Sequence, residues 1–302
     1  MNTLFVILGP TGVGKTYLSI DIAKWLGTSI VSCDSRQIYK ELKIGVASPS
    51  NEQLSEVKHY FIATRSVEEH YSAGQYELDA IPVIEQEIAQ NGSVVMVGGS
   101  MLYIDAVCRG IDNIPHIDEE LRLNVRRIYD EKGIDEVRRL LRLLDPKHYA
   151  EVDLKNVKRM LHALEVCYQT GRPFSELRTN NVKKRNFEIV KIGLNLERDT
   201  LYNNINRRVI MMIEQGLEQE ARSVSDKCHL NALNTVGYKE MFAYFDGEYS
   251  LDRAVELIQR NTRHYAKKQL SWFNRYESTH WFSPNDREKV LGFVAKRIKP
   301  KL

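Results

Sequence analysis

Residues 4–8, Leu-Phe-Val-Ile-Leu, form an unbroken apolar run that leads directly into Gly9-Pro10-Thr11-Gly12-Val13-Gly14-Lys15-Thr16. From 17 to 26, apolar residues (Leu18, Ile20, Ile22, Ala23, Leu26) recur at roughly helical spacing. A continuous apolar run suits a strand covered on both faces, so strand, glycine-rich turn and helix in this order point to an α/β fold with a parallel sheet. In that context the G-x-x-x-x-G-K-[ST] spacing is that of a phosphate-binding loop. The glycines let the backbone bend until successive N–H groups face one anion, and the helix N-terminus adds partial positive charge. Lys15 is placed to hold phosphate oxygens as a point charge, and the Thr16 hydroxyl to ligate Mg²⁺. The loop does not say whether the bound phosphate is cleaved, transferred or released.

Length and charge set the outer bounds. At ~100–200 residues per domain, 302 residues make one large domain with an insertion, or two domains. A net charge of +3 is too small to imply a nucleic-acid partner by itself. Its distribution says more: 257–276 contains no acidic residue but carries Arg260, Arg263, Lys267, Lys268 and Arg275. The four cysteines are far apart and never form C-x-x-C, which argues against a zinc ribbon or a disulfide framework and fits a reducing cytoplasm. The chain enters a strand almost at once, without signal-peptide features. No stretch approaches the ~18 uninterrupted apolar residues of a membrane span. A cytoplasmic protein is expected.

A second strand, 28–33, ends at Asp34-Ser35-Arg36-Gln37-Ile38-Tyr39. Ligands of open α/β sheets sit beyond the carboxyl ends of the strands, which places Asp34 beside the phosphate loop. Its carboxylate could lie in the second shell of Mg²⁺, accept a proton, or cap the next helix. After a helix over 72–91 with Pro82 inside it, the strand 93–97 ends in Gly98-Gly99-Ser100. Hydrolysing phosphate-loop proteins usually place a metal-holding Asp there; its absence, and that of any Asn-Lys-x-Asp, speaks against an ATPase or GTPase. Helix resumes over 101–107. Residues 119–170 read as wholly helical (121–131, 134–144, 156–168) and rich in Arg and Lys, an insertion in the α/β core whose charges are either solvated surface or a polyanion contact. A strand returns over 187–196. A helix over 201–228 turns Ile205, Val209, Met212 and Ile213 inward, flanked by Arg207 and Arg208. The long helix 249–272 carries Arg260, Arg263 and Lys267 on one stripe. Trp272-Phe273 and Trp281-Phe282 suit nucleic-acid binding and core packing equally. The tail 287–302 reads as a short basic helix without an assignable role.

Several motifs occur in one order: the loop 9–16, Asp34-Ser-Arg-Gln-Ile-Tyr39, Ile44-Gly45, Gly98-Gly99-Ser100-x-x-Tyr103, Ala163-Leu164-Glu165, Gly237-Tyr238-Lys239-Glu240 and Thr262-Arg263-x-Tyr265-Ala266-Lys267-Lys268-Gln269. Over residues 4–273 the chain resembles the bacterial tRNA dimethylallyltransferases, the tRNA isopentenyltransferase family. The resemblance implies a P-loop NTPase-like parallel-sheet core (1–113 and 181–302, with C-terminal tRNA-binding helices) and an all-helical insertion domain (114–180). It implies transfer of the dimethylallyl group from dimethylallyl diphosphate to N6 of adenosine 37, in the anticodon stem-loop of tRNAs reading codons that begin with U. Asp34 would be the general base, assisted by Ser100, and Arg208 would join the phosphate loop (Gly9, Pro10, Thr11, Gly12, Val13, Gly14, Lys15, Thr16) on the diphosphate, with Thr16 on Mg²⁺. Asp34, Ser35, Arg36, Gln37, Ser100, Arg122, Lys158, Arg159, Met160, Leu161 and His162 map to tRNA contacts, and the stripe adds Arg263 and Lys267. A monomer is expected. This chain departs from the family pattern at Ser100 (usually Thr), at Val46 and Ser48 (mostly Thr and Lys), and at His162 (commonly Arg). The alternative is an isopentenyltransferase acting on AMP, ADP or ATP, for which the basic surfaces would have no use.

Overall fold

The structure is a computed structural model and describes residues 2–112, 114–115, 117–179 and 181–298. Six strands, β1 (Thr3–Leu8), β2 (Ile30–Ser32), β3 (His59–Tyr60), β4 (Ser93–Val97), β5 (Glu188–Leu194) and β6 (Thr279–Phe282), form one parallel sheet in the order β3-β2-β4-β1-β5-β6. β1 is central and wholly buried. Because strand side chains alternate, Leu4, Val6 and Leu8 enter one apolar core while Phe5 and Ile7 enter another. Every strand runs the same way, so Gly9, Cys33-Asp34, Gly98-Gly99-Ser100 and Asn195 all emerge on one edge. That convergence positions the site.

The chain divides into two compact units, Met1–Cys108 with Lys184–Leu302, and Arg109–Lys183. The expected boundary residues Asn113 and Asn180 lie outside the described residues. The second unit is helical, with its own core of Val125, Val137, Leu141, Met160, Leu161, Leu164 and Phe174. Its first helix, Glu119–Leu144, is interrupted at Gly133 (φ 76°), which accounts for the two separate periodic runs in the sequence. Inside this unit Asp145, fully buried, accepts from the backbone N–H of His148 and Ser175 and from the Ser175 hydroxyl. Where the chain re-enters the first unit, a single arginine acts as a clamp. Arg185 is nearly buried and donates to the carbonyls of Ala106 and Val107 and to Glu77 at 2.7 Å.

Four sequence expectations change. The helix expected over 201–228 is two helices, Arg198–Glu214 and Leu217–Ser223, followed by a 3₁₀ turn, Ser225–Lys227. Gly216 separates them at φ 101°, a conformation glycine adopts without a side-chain clash. Strands β3 and β6 are too short, and β6 too polar at Thr279-His280, to show as apolar runs. Of the aromatics near the long helix, Leu251–Phe273, most belong to packing, while Trp281 keeps an exposed face. Phe273 is fully buried, Trp272 Nε1 and the Tyr276 hydroxyl both donate to Asp105, and Trp281 lies against Gly193. The last helix is Arg287–Ala295, and 299–302 lie outside the described residues.

Two glycines make opposite predictions. A Cβ on Gly98 would lie 2.4 Å from the Cys33 carbonyl oxygen, whereas one on Gly292, inside the last helix, would meet nothing within 4 Å. Gly98→Ala is expected to lower unfolding free energy by about 1–3 kcal/mol, the usual cost of overpacking. Gly292→Ala should raise it by roughly 0.5–1 kcal/mol. Urea titration followed by circular dichroism checks both, and equal effects would contradict the packing described.

Candidate active site

The phosphate loop begins where β1 ends and feeds the helix Lys15–Leu26. Its glycines are there for geometry: Gly9, Gly12 and Gly14 all have positive φ, and a Cβ on Gly9 would lie 2.5 Å from the Leu194 carbonyl oxygen on neighbouring β5. Lys15 folds back over the loop, donating to the carbonyl oxygens of Gly9 (3.0 Å) and Pro10 (2.8 Å). Burial and then the charge of Arg208 pull the Lys15 ammonium down to about 8, against a smaller opposing pull from Asp34. Arg208, on the Arg198–Glu214 helix, is likewise pushed down by burial, with Asp34 opposing. Among the described residues its guanidinium has no hydrogen-bond or ion-pair partner. Two cations crowded beside an amide-rich loop make a site for a multiply charged anion.

Of the roles open to Asp34 in the sequence, the structure shows the capping one. Its Oδ1 accepts from the backbone N–H of Arg36 (2.9 Å) and Gln37 (3.3 Å), so it caps the turn after β2. Its Oδ2 has no hydrogen-bond partner among the described residues and is free for a proton. Ser100, nearly buried, accepts from the Ser35 N–H (2.8 Å) and donates to the Ser35 hydroxyl (3.1 Å). Its hydroxyl, retained where the family pattern has Thr, fixes the turn that carries Asp34.

Asp34, Ser35, Arg36, Ser100, Arg208 and Thr11 line a cavity of about 460 Å³. The same cavity is lined by Val46, Ile205, Val209, Met212, Leu217 and Ile258. Charged and apolar walls in one space suit a ligand with an anionic head and a short apolar body. Val46 therefore contributes apolar surface where the family pattern would place a hydroxyl.

Sequence reasoning missed two supports. Glu220 accepts from three successive backbone N–H groups, Lys43, Ile44 and Gly45, and from the Tyr238 hydroxyl (2.6 Å). It thereby holds the loop that brings Gly45 and Val46 to the cavity. Only the break at Gly216, unread in the sequence, separates its helix from the one before. Gln269, buried, lay in a quoted motif without a role; its Oε1 accepts from the Thr11 N–H and its Nε2 donates to the Gly99 carbonyl. For metal, no described cluster of three His, Cys, Asp or Glu side chains could hold an ion. Thr16 could offer one hydroxyl to a divalent ion, whose remaining ligands would have to come from phosphate oxygens and water.

The residues assigned to tRNA divide. Arg36 donates to the carbonyls of Ser35 and Asn231, and Gln37 to those of Val46 and Ala47, so both side chains tie loops together. Arg263 donates to Asn206 Oδ1 and lies over the Tyr202 ring, joining two helices, while Lys267 is exposed. In the second unit Arg122, Lys158, Arg159 and His162 are exposed or partly so, with Arg122 and His162 both near Glu165 Oε2 at 3.9 and 3.5 Å. Met160 and Leu161 are a correction. They lie on the inner face of Val157–Thr170, in the core of that unit, and offer an RNA no side chain.

The parallel sheet and glycine-rich loop define a P-loop α/β protein, and its cavity joins the anion site to a carboxylate. The family model described as IPP transferase matches residues 37–276. A tRNA dimethylallyltransferase 2 of Azobacteroides pseudotrichonymphae is 54% identical, across 95% of this chain and 93% of that protein. A tRNA dimethylallyltransferase 1 of Bacteroides fragilis is 51% identical across 99% of both. The solved full-length tRNA isopentenylpyrophosphate transferase of Bacillus halodurans superposes with a TM-score of 0.72 at 31% identity, covering 98% of this chain and 96% of that one. The chain belongs to the IPP transferase family.

Lys15 gives a pH-dependent prediction. Its folded pKa of about 8 lies below the ordinary 10.5, so the unfolded chain holds the proton more tightly. The folding cost is full below about pH 8 and fades as pH rises toward the unfolded value. Lys15→Met is expected to raise the melting temperature at pH 7, with the gain shrinking between pH 8 and 10. Added pyrophosphate should raise the melting temperature of the wild type but not of the variant. A gain that grows with pH would contradict a buried, repelled ammonium.

Proposed function

We propose that this protein transfers the dimethylallyl group of dimethylallyl diphosphate to N6 of adenosine 37 in tRNAs that read codons beginning with U. The products are N6-(dimethylallyl)adenosine and diphosphate. The observation that supports this most is one cavity lined by Thr11 of the phosphate loop, Arg208 and Asp34 together, with Lys15 folded over the same loop behind it. The adenine leaves the anticodon-loop stack to enter that cavity, as base-modifying enzymes require. The bond between the allylic carbon and the diphosphate oxygen breaks, and a bond from that carbon to N6 forms. Charge on the departing diphosphate is met by the loop amides, by Arg208, and by Lys15 once it exchanges its bonds to the Gly9 and Pro10 carbonyls for phosphate oxygens. The N6 proton passes to Asp34 Oδ2 as the carbon–nitrogen bond forms. Oδ1 stays on its turn, and Ser100 acts through Ser35 by holding that turn. The Thr16 hydroxyl would hold a Mg²⁺ ion, which when bound would add positive charge to stabilise the leaving group.

The exposed bases of the helical unit, Arg122, Lys158, Arg159 and His162, with Lys267 on the long helix, contact the anticodon stem-loop in this reading. A monomer working in the cytoplasm completes it, and among the described residues no helix is long and apolar enough to cross a membrane.

Asp34→Asn tests the chemistry, because the amide oxygen still caps the turn but cannot take a proton. The expected outcome is a fall in transfer rate of about 10²–10⁴-fold with tRNA affinity nearly unchanged. Loss of affinity in proportion to rate would contradict the role. Incubation with dimethylallyl diphosphate and either unmodified tRNA or AMP separates the substrates: modified AMP without modified tRNA would establish the adenylate enzyme instead.

A further inference from the structure

A phosphate loop holds anions with backbone N–H groups, and the number left free decides how much phosphate it can engage. In this loop one is already taken. The Thr11 N–H donates to Gln269 Oε1 at 2.8 Å, while Gln269 Nε2 donates to the Gly99 carbonyl at 2.9 Å. Gln269 is 2% exposed, so water does not compete for these bonds. The fit is closed from the other side as well: a Cβ on Gly99 would lie 2.3 Å from Gln269 Nε2. A side chain at 99 would have to push the amide from this position. Gln269 shares the inner stripe of the Leu251–Phe273 helix with Ile258, Thr262 and Tyr265, all lining the cavity. Thr11 also lines that cavity, so its N–H is withheld at the wall where a ligand would meet it.

We infer that Gln269 is a specificity-determining positioning residue: by occupying the Thr11 N–H it closes the phosphate loop to a third phosphate and suits it to a diphosphate. The inference rests on the diphosphate-donor reading and deepens it. A triphosphate reaching past the amides that follow Thr11 meets the back of a satisfied hydrogen bond rather than a donor. The same amide fixes Gly99, the residue before Ser100, and Ser100 holds the Ser35 turn that carries Asp34. One buried side chain thus keeps the anion site and the proton acceptor in register.

The test is calorimetric binding of inorganic pyrophosphate and of tripolyphosphate to the full chain, with melting curves recorded for each variant. Wild-type protein is expected to prefer pyrophosphate. Gln269→Met, which keeps volume and frees the Thr11 N–H, should shrink that preference by about tenfold, the size of one hydrogen bond. It should also lower kcat for transfer to tRNA, leaving the KM for tRNA unchanged. Gln269→Glu keeps an acceptor for Thr11, so it should weaken both anions through its charge yet retain their ratio. Should the Met variant fail to fold, the wild-type preference for pyrophosphate over tripolyphosphate remains the deciding measurement. A ratio unchanged in Gln269→Met, or a wild type that binds the two anions equally, would overturn the role. Wild-type protein that binds neither anion would instead contradict the diphosphate-donor reading from which the role follows.

Discussion

Two cations gathered with little to neutralise them are the constraint on which the site depends. Burying a charge without a partner is costly, and here Lys15 is left with two carbonyl oxygens and Arg208 with no hydrogen-bonding partner among the described residues. Burial lowers both, and the charge of Arg208 adds to it at Lys15. Such an arrangement persists only if the surroundings hold it, and they do. β1 is buried along its whole length, with an apolar core on each face, and Gly9 presses on the backbone of β5 too closely for any side chain. In the diphosphate-donor reading, a ligand of matching charge offsets that cost. Preorganised charge of this kind acts at full strength when a leaving group departs.

Around that pair, carboxylates serve as much to shape loops as to do chemistry. Asp34 spends one oxygen on its own turn and keeps the other free. Glu220 gathers three backbone N–H groups of the 43–45 segment, and Glu240 accepts from the Gly237 N–H and from Asn261 Nδ2. Loops at the carboxyl edge are therefore fixed by carboxylates, some local (Asp34, Glu240) and one from far along the chain (Glu220). The cavity is built from loops, yet it is held like a core.

How much of this was legible in the sequence follows from how local each cause is. The loop 9–16, β1, β4 and the long helix declare themselves through spacing and apolar runs, and Asp34 through the rule that ligands sit at carboxyl strand ends. The break at Gly216 was missed because the apolar period runs on across it. β3 and β6 were missed because two and four residues carry no period. Glu220 and Gln269 act over long distances in sequence, to residues 43–45 and to Thr11 and Gly99, and nothing near either residue announces a partner. The motif carry-over placed Met160 and Leu161 on tRNA, whereas the period of their own helix places them inside it.

The central claim is that the loop grips a leaving diphosphate and activates no water. The most direct measurement is the stoichiometry of the reaction in the absence of ATP, counting diphosphate released against N6-dimethylallyl adenosine found by mass analysis of the tRNA nucleosides. One diphosphate for each modified adenosine, with no release when tRNA is omitted, is the predicted result. Diphosphate set free without tRNA, or modification that requires ATP turnover, would contradict it.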